Sequence, residues 1–422
     1  ESSKASPRSP MPQPSDKPLA PTRVKHTYGA VTHVPAPLPR QGSSRLLQSL
    51  WIAGFESAAH INQSGVRIDM VSATQHDVQV EEDYARLAEW DIRTVRDGAR
   101  WHLIESSRGF DFSSLKPFVE AANRHRLQVI WALCHYGWPD DLDILSPGFI
   151  DSFARYCGAV ARFIADHTDG IQFYTPVNEI SFLAWAAGEK AYIHPHRNDV
   201  GRALKQQLVR ASIAGIEAIW AVDPTARIMH TEPLIHVLTP KEHPELARAA
   251  ADQRAAQFEA WDMLAGAMSP ELGGHPRYLD IVGVNYYHAN QWEHPDVRLR
   301  WEDAPRDPRW VPFSSLLAEV YYRYWRPVVV SETSHFGAGR GRWIREVADE
   351  VARARDAGVG VEGLCVYPVI DRPDWEDPDH WHNSGLWDLK RRDDGRLERI
   401  LSAEYAAALR QAQARLCSGQ PR

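Results

Sequence analysis

From Leu50 onward, short apolar runs ending in polar or aromatic residues alternate with longer stretches in which apolar residues recur at helical spacing. The runs Leu50–Phe55, Ile92–Arg96, Gln128–His135, Ile171–Asn178, Arg227–Thr231, Ile281–Tyr287, Val328–Glu332 and Val361–Tyr367 predict strands. Most are continuously apolar, as expected of parallel strands buried on both faces. Helices are predicted around 82–90, 113–126, 148–167, 202–222, 244–265, 313–324, 340–357 and 402–415. Asp223-Pro224 closes the fourth and Gly358 follows the seventh, both ordinary helix-stop signals. Eight strands alternating with eight helices predict an α/β fold, a single (β/α)8 TIM barrel. A doubly wound open sheet is the rival. It would normally carry a Gly-rich phosphate turn after its first strand, and Gly54-Phe55-Glu56-Ser57 has one glycine.

The connections are unequal. Segments after strands four, six and eight (Ile180–Gly201, His288–Pro312, Pro368–Glu398) are long, and long ordered loops in compact domains are usually functional. Residues 1 to about 45 break the pattern altogether. Pro, Ser and Gln dominate there, as in Ser6-Pro7-Arg8-Ser9-Pro10 and Pro35-Ala36-Pro37. Such a stretch cannot bury enough surface to offset its ordering entropy. The expected organisation is therefore a disordered or extended lead-in over 1–45 and one barrel domain over 46–418.

Composition narrows the function. With 44% hydrophobic residues in 422, the chain can build a sizeable core. No apolar run approaches the ~20 residues of a membrane span. A net charge of -7 lacks the basic footprint of a nucleic-acid binder. Cys134, Cys157, Cys365 and Cys417 are too few and too scattered for a disulfide framework or a CxxC metal site, and they do not identify the redox compartment. A cytoplasmic location is expected over an exported one. No cofactor fingerprint appears, so no cofactor is expected.

In a barrel, the loops after the strands form the active face. The strand ends carry Glu56, Arg96, His135-Tyr136-Gly137-Trp138, Thr175-Pro176-Val177-Asn178-Glu179, Thr231-Glu232, Asn285-Tyr286-Tyr287, Ser331-Glu332 and Tyr367, with Asp371, Asp374 and Trp375 just beyond. Polar groups among aromatic platforms suit a sugar, whose hydroxyls need donors and acceptors and whose C–H faces stack on rings. Two carboxylates across a barrel mouth can break a glycosidic bond: one protonates the leaving oxygen, and the other, ionised, attacks or activates water. Glu179 and Glu332, at the ends of strands four and seven, are the best pair. Arg96 is expected beside Glu332, where its charge would favour the ionised carboxylate. Glu232 ends strand five without a matching motif and stays outside the pair.

These residues resemble glycoside hydrolase family 1 and its clan of retaining barrel glycosidases. Thr175-Pro176-Val177-Asn178-Glu179 is similar to the family's Thr-Phe-Asn-Glu-Pro, with one residue inserted and Ile180 in place of the proline. Asp280-Ile281-Val282-Gly283-Val284-Asn285-Tyr286-Tyr287 resembles Asp-Phe-Ile-Gly-Ile-Asn-Tyr-Tyr, and Val329-Val330-Ser331-Glu332-Thr333 resembles the Ile-Thr-Glu-Asn-Gly nucleophile strand without its Asn-Gly. Leu133-Cys134-His135-Tyr136-Gly137-Trp138-Pro139 resembles Leu-x-His-Trp-Asp-Leu-Pro, and Arg96 with Trp101 keeps an Arg-x-x-x-x-Trp spacing. The motifs run in family order from about Leu50 to Leu389. Two departures bear on substrate: the first-strand Gln has no clear equal, with Glu56 and His60 nearby, and the eighth-strand motif becomes Tyr367-Pro368-Val369-Ile370-Asp371-Arg372-Pro373-Asp374-Trp375. A divergent branch is implied.

The resemblance implies a retaining β-glycosidase with Glu332 as nucleophile and Glu179 as acid/base. It implies that His135 and Asn178 hold sugar hydroxyls beside the reacting carbon, that Tyr287 orients the nucleophile, and that Asn285 belongs to the site. Glu56, Asp371, Asp374 and Trp375 are weaker candidates for sugar contacts. Trp185, Trp292, Trp301 and Trp310 lie in long loops and could either stack on the leaving-group side or cap the rim. His194-x-His196 and His380-x-His382 read as loop histidines, since both lack the helical spacing and acid of catalytic zinc sites; no metal is expected. The expected partner is a carbohydrate substrate. A transglycosidase on the same site, or a sugar-binding barrel without turnover, are the alternatives.

Overall fold

A computed structural model describes residues 46–417. The lead-in expected over 1–45 lies outside the described residues. Eight parallel strands close into a barrel in sequence order. They are β1 (Trp51–Gly54), β2 (Thr94–Gly98), β3 (Gln128–Cys134), β4 (Phe173–Val177), β5 (Arg227–Pro233), β6 (Ile281–Asn285), β7 (Val328–Thr333) and β8 (Val361–Val366). Each coincides with a predicted strand to within a few residues. The fold class is the (β/α)8 barrel.

Alternation along the strands fills the barrel. Ile52, Ile130, Phe173, Met229, Ile281, Val329 and Cys365, one from each strand except β2, form an apolar cluster inside it. Small residues sit further toward the strand ends. A Cβ at Gly283 would lie 2.6 Å from Thr231 Oγ1 and 3.0 Å from Ser331 Oγ, so only a hydrogen fits at that level. The opposite strand faces pack against the helical shell. Helix Pro147–Ala165, for example, buries Phe149, Phe153, Tyr156, Val160 and Ile164, the stripe that a period of 3.6 produces.

The segments outside the barrel depart from a plain reading in several places. The stretch after β4 opens directly into a helix, Ile180–Gly188, all of whose residues are buried. Being apolar all round, it carries no period to read. The predicted helix 244–265 is divided into Ala247–Ala255 and Glu259–Leu264 by a 3-10 turn at Ala256–Phe258. After β6, Gln291–Glu293 pairs with His236–Leu238 and Val297–Arg298 in a small separate sheet. Among the described residues no helix is long and apolar enough to cross a membrane.

Candidate active site

Glu332 reaches the barrel mouth because β7 carries a bulge. Val330 pairs with Val284, but Glu332, two residues on, pairs with the next residue of β6, Asn285. A bulge re-aims side chains. Ser331 Oγ donates to Asn285 Oδ1 at 2.7 Å, while Glu332 turns to meet Arg96 Nη1 at 2.9 Å and the Tyr287 hydroxyl at 2.5 Å. Arg96 and Glu332 are both buried, so their attraction acts with little screening by water. Burial alone would lower the pKa of Arg96, but Glu332 outweighs it and holds the guanidinium charged. Burial and the neighbouring Glu332 both raise the pKa of Tyr287, which keeps its phenol protonated as a donor.

Glu179 is placed by a different device. The amides of Asn178 and Glu179 still bond to the carbonyls of Cys134 and Thr231, extending β4 toward both neighbours. Glu179 itself has φ 49°, in the left-handed region, and the chain turns there into helix Ile180–Gly188. Non-glycine residues held in that region cost free energy and gather at functional sites. Asn285 Nδ2 donates to Glu179 Oε1 at 2.9 Å, and the Tyr136 hydroxyl donates to Oε2. Tyr136 also has a positive φ, 65°. Burial first, then Glu179, raises its pKa and keeps the hydroxyl protonated.

The remaining network links the two carboxylates. Asn178 Oδ1 accepts from Arg96 Nη2, and its Nδ2 lies 3.1 Å from His135 Nε2 and 3.0 Å from the Tyr136 hydroxyl. His135 Nδ1 lies 3.0 Å from Ser57 Oγ. Glu56 Oε1 accepts from the Tyr367 hydroxyl at 3.0 Å and the Ala58 amide at 3.1 Å, and Arg372 Nε lies 3.5 Å from Oε2. With His135 Nε2 3.6 Å from Glu56 Oε1, one connected cluster holds Glu56, Arg96, His135, Asn178, Glu179, Asn285, Tyr287 and Glu332. Trp375 borders it, with its ring 5.9 Å from that of Tyr136 and 4.2 Å from that of His60.

Asp371 and Asp374 are placed differently. Asp371 accepts from the Ser384 amide at 2.9 Å and hydroxyl at 3.2 Å, fastening the loop after β8 to itself. Asp374 accepts from the amides of Glu376 and Asp377, closing a turn, and faces His382 Nε2 at 3.4 Å. These contacts hold Asp371 and Asp374 to other residues of the loop after β8. Trp185, Trp292 and Trp301 are buried in packing, Trp185 between Phe182 and Tyr192. Glu232 accepts from the Ser181 amide with both oxygens, at 3.2 and 3.1 Å, and so caps the helix that begins beside Glu179. Burial pushes its pKa up to about 8.

Sequence reasoning gave no role to Tyr136, Tyr367, Ser57 or Ser331. All four sit close to strand ends, and Tyr136, Ser331 and Tyr367 also lie within the motif segments, but neither signal says what their hydroxyls contact.

No family model matches the chain, and no curated protein matches its sequence. Solved structures do share the fold. A β-glucosidase from Thermotoga maritima in complex with glucoimidazole aligns with a TM-score of 0.69 at 13% identity, over 87% of this chain and 98% of that one. The family 1 β-glucosidase from Thermotoga maritima aligns with a TM-score of 0.67 at 14% identity, covering 87% and 97%. The complex with noeuromycin gives 0.65 at 15%, covering 81% and 87%. The barrel is built like those of family 1 β-glucosidases.

Proposed function

We propose that this protein is a retaining β-glycosidase in which Glu332 is the nucleophile and Glu179 the acid/base. The observation that carries the reading is the difference in how the two buried carboxylates are held. Glu332 is gripped by a guanidinium and a phenol, which favours the ionised form required for attack. Glu179 is met by an amide and a phenol on a strand-to-helix turn.

In the first step a Glu332 oxygen attacks the anomeric carbon. The bond to the leaving oxygen breaks, and that oxygen takes the proton from Glu179. In the second step Glu179 removes a proton from water, which attacks the same carbon and releases Glu332. Asn178 and His135 are placed to bond the sugar hydroxyl beside the reacting carbon, where contacts that strengthen in the transition state raise rate rather than affinity alone. Asn285 positions Glu179 and Tyr287 positions Glu332. The structural likeness to β-glucosidases supports the same class of substrate, a β-linked glycoside or oligosaccharide. Glu56 and Arg372 in the first- and eighth-strand loops stand where a change of sugar preference would be written.

The test is a panel of aryl β-glycosides of glucose, galactose, mannose, fucose, xylose and glucuronic acid on the purified protein, with the product anomer followed by proton NMR. Release from at least one member, with the β-anomer formed first, is expected. Sugar binding without release from any member would instead make this a binding barrel.

A further inference from the structure

We propose that His288, Glu302 and His335 form a binding site for one divalent transition-metal ion, zinc by the chemistry of the donors, distinct from the carboxylate cluster. His288 follows Tyr287 at the end of β6, His335 lies three residues beyond Glu332, and Glu302 comes from the long loop after β6. No sequence spacing announces such a triad. One potential ligand atom from each residue lies within 4.8 Å of the other two. Glu302 Oε1 lies 2.8 Å from His335 Nε2 and 3.8 Å from His288 Nε2. Ligands ~2.0–2.1 Å from a tetrahedral zinc stand about 3.3 Å apart, between those two separations. Small side-chain shifts would complete the geometry.

A second observation is independent of these distances. His288 is fully buried; the Ser334 backbone is within reach of its ring, but neither ring nitrogen makes a hydrogen bond of good geometry. A buried polar group without a partner costs ~1–3 kcal/mol, and such a group in a folded protein calls for an explanation. Its Nε2 is the atom nearest Glu302, so a metal there would satisfy it. His335 is already oriented, with Nδ1 against the Phe336 backbone and Nε2 directed to Glu302, the arrangement that outer-shell contacts give to ligating imidazoles. The metal would displace the proton shared between His335 and Glu302. Arg298 Nη2 lies 3.3 Å from the same Glu302 oxygen, so ion and guanidinium would share that carboxylate. Three protein ligands leave one position for water. The ion would tie the end of β6 to the segment following β7, directly beyond the residues that carry Tyr287 and Glu332.

The test uses the full chain, stripped with a chelator and re-equilibrated with zinc chloride. About one zinc per chain by elemental analysis, with a rise in Tm of several degrees, is expected. Replacement by cobalt should give visible d–d absorption, and the signal should report tetrahedral or five-coordinate nitrogen and oxygen ligation. His288→Ala and His335→Ala should abolish both the binding and the Tm shift. Glu302→Gln, at a partly exposed position, supplies a folded variant if the buried histidines cannot be replaced, and it should weaken binding at least ten-fold. His194→Ala and His380→Ala should change nothing. No zinc retained at 100 µM free metal, or zinc held equally by Glu302→Gln or by the His288 and His335 variants, would overturn the site.

Discussion

The Tyr136 hydroxyl donates a hydrogen bond to the Glu179 carboxylate, and both residues have left-handed backbone conformations, with φ of 65° and 49°. Two residues held in the left-handed region thus meet at the carboxylate proposed as acid/base. The same hydroxyl accepts from Asn178, which in turn accepts from Arg96, the partner of Glu332. The phenol therefore stands at one end of a chain of contacts that runs from one carboxylate to the other.

Tyr136→Phe should expose that role. Hydrogen bonds to charged groups contribute ~1.5–3 kcal/mol, so turnover of glycosides with poor leaving groups should fall roughly 10- to 100-fold. Dinitrophenyl glycosides, which depart without protonation, should lose much less in the first step. Steady-state rates across a leaving-group series would check this, and a uniform loss would assign Tyr136 to binding alone.

Arg96→Met should be severe in two ways. It removes the cation 2.9 Å from Glu332 and leaves a buried carboxylate without that charge. Breaking a buried pair costs about 3–5 kcal/mol, so Tm should drop measurably while far-UV circular dichroism keeps its barrel signature. Activity should fall at least 100-fold. A folded variant with a near-normal rate would place the control of Glu332 elsewhere.

Glu232 should matter through its charge state. Its folded pKa, pushed up to about 8 by burial, exceeds its unfolded value near 4.5, so this carboxyl favours the folded chain at low pH and that contribution is lost as pH rises toward 8. Glu232→Gln keeps an acceptor for the Ser181 amide and cannot ionise. Its Tm should therefore exceed that of the wild type by several degrees at pH 8–8.5, with the gap shrinking toward pH 5. Thermal melts across that range decide the point.

His76 should give stability a second alkaline slope. It lies between Asp83 at 2.8 Å and Asp97 at 2.9 Å and stacks on Phe55. Burial alone would lower its pKa, but the two aspartates outweigh it and push it up to about 9. The stabilisation is complete below the unfolded value near 6.5 and is lost as pH rises through 9, a change of about 3 kcal/mol. His76→Gln should be less stable than the wild type at pH 6, and the difference should narrow by pH 9.

Much of this was legible in the chain because the strands are apolar on both faces and the helices on one. What escaped has identifiable causes. Helix Ile180–Gly188 is buried on every side and so shows no polar face. The bulge at Ser331 is a backbone event that places Glu332 without a marker in composition. Asp374 opens a turn through its neighbours' amides, a job that Asp-x-x sequences commonly do and that competes with a ligand role. Tyr136 stood inside a quoted motif, but nothing in linear spacing says that its hydroxyl meets Glu179.

The division of labour between the two glutamates is the central claim, and Glu179→Ala measured beside Glu332→Ala tests it most directly. Loss of Glu332 should abolish turnover of every substrate, whatever its leaving group. Glu179→Ala should still form the glycosyl-enzyme from a dinitrophenyl glycoside and then stall, because water lacks its base. Azide should restore turnover in that variant alone and yield the β-glycosyl azide, the product of two inversions. An α-azide, or equal losses for both variants across all leaving groups, would contradict the assignment.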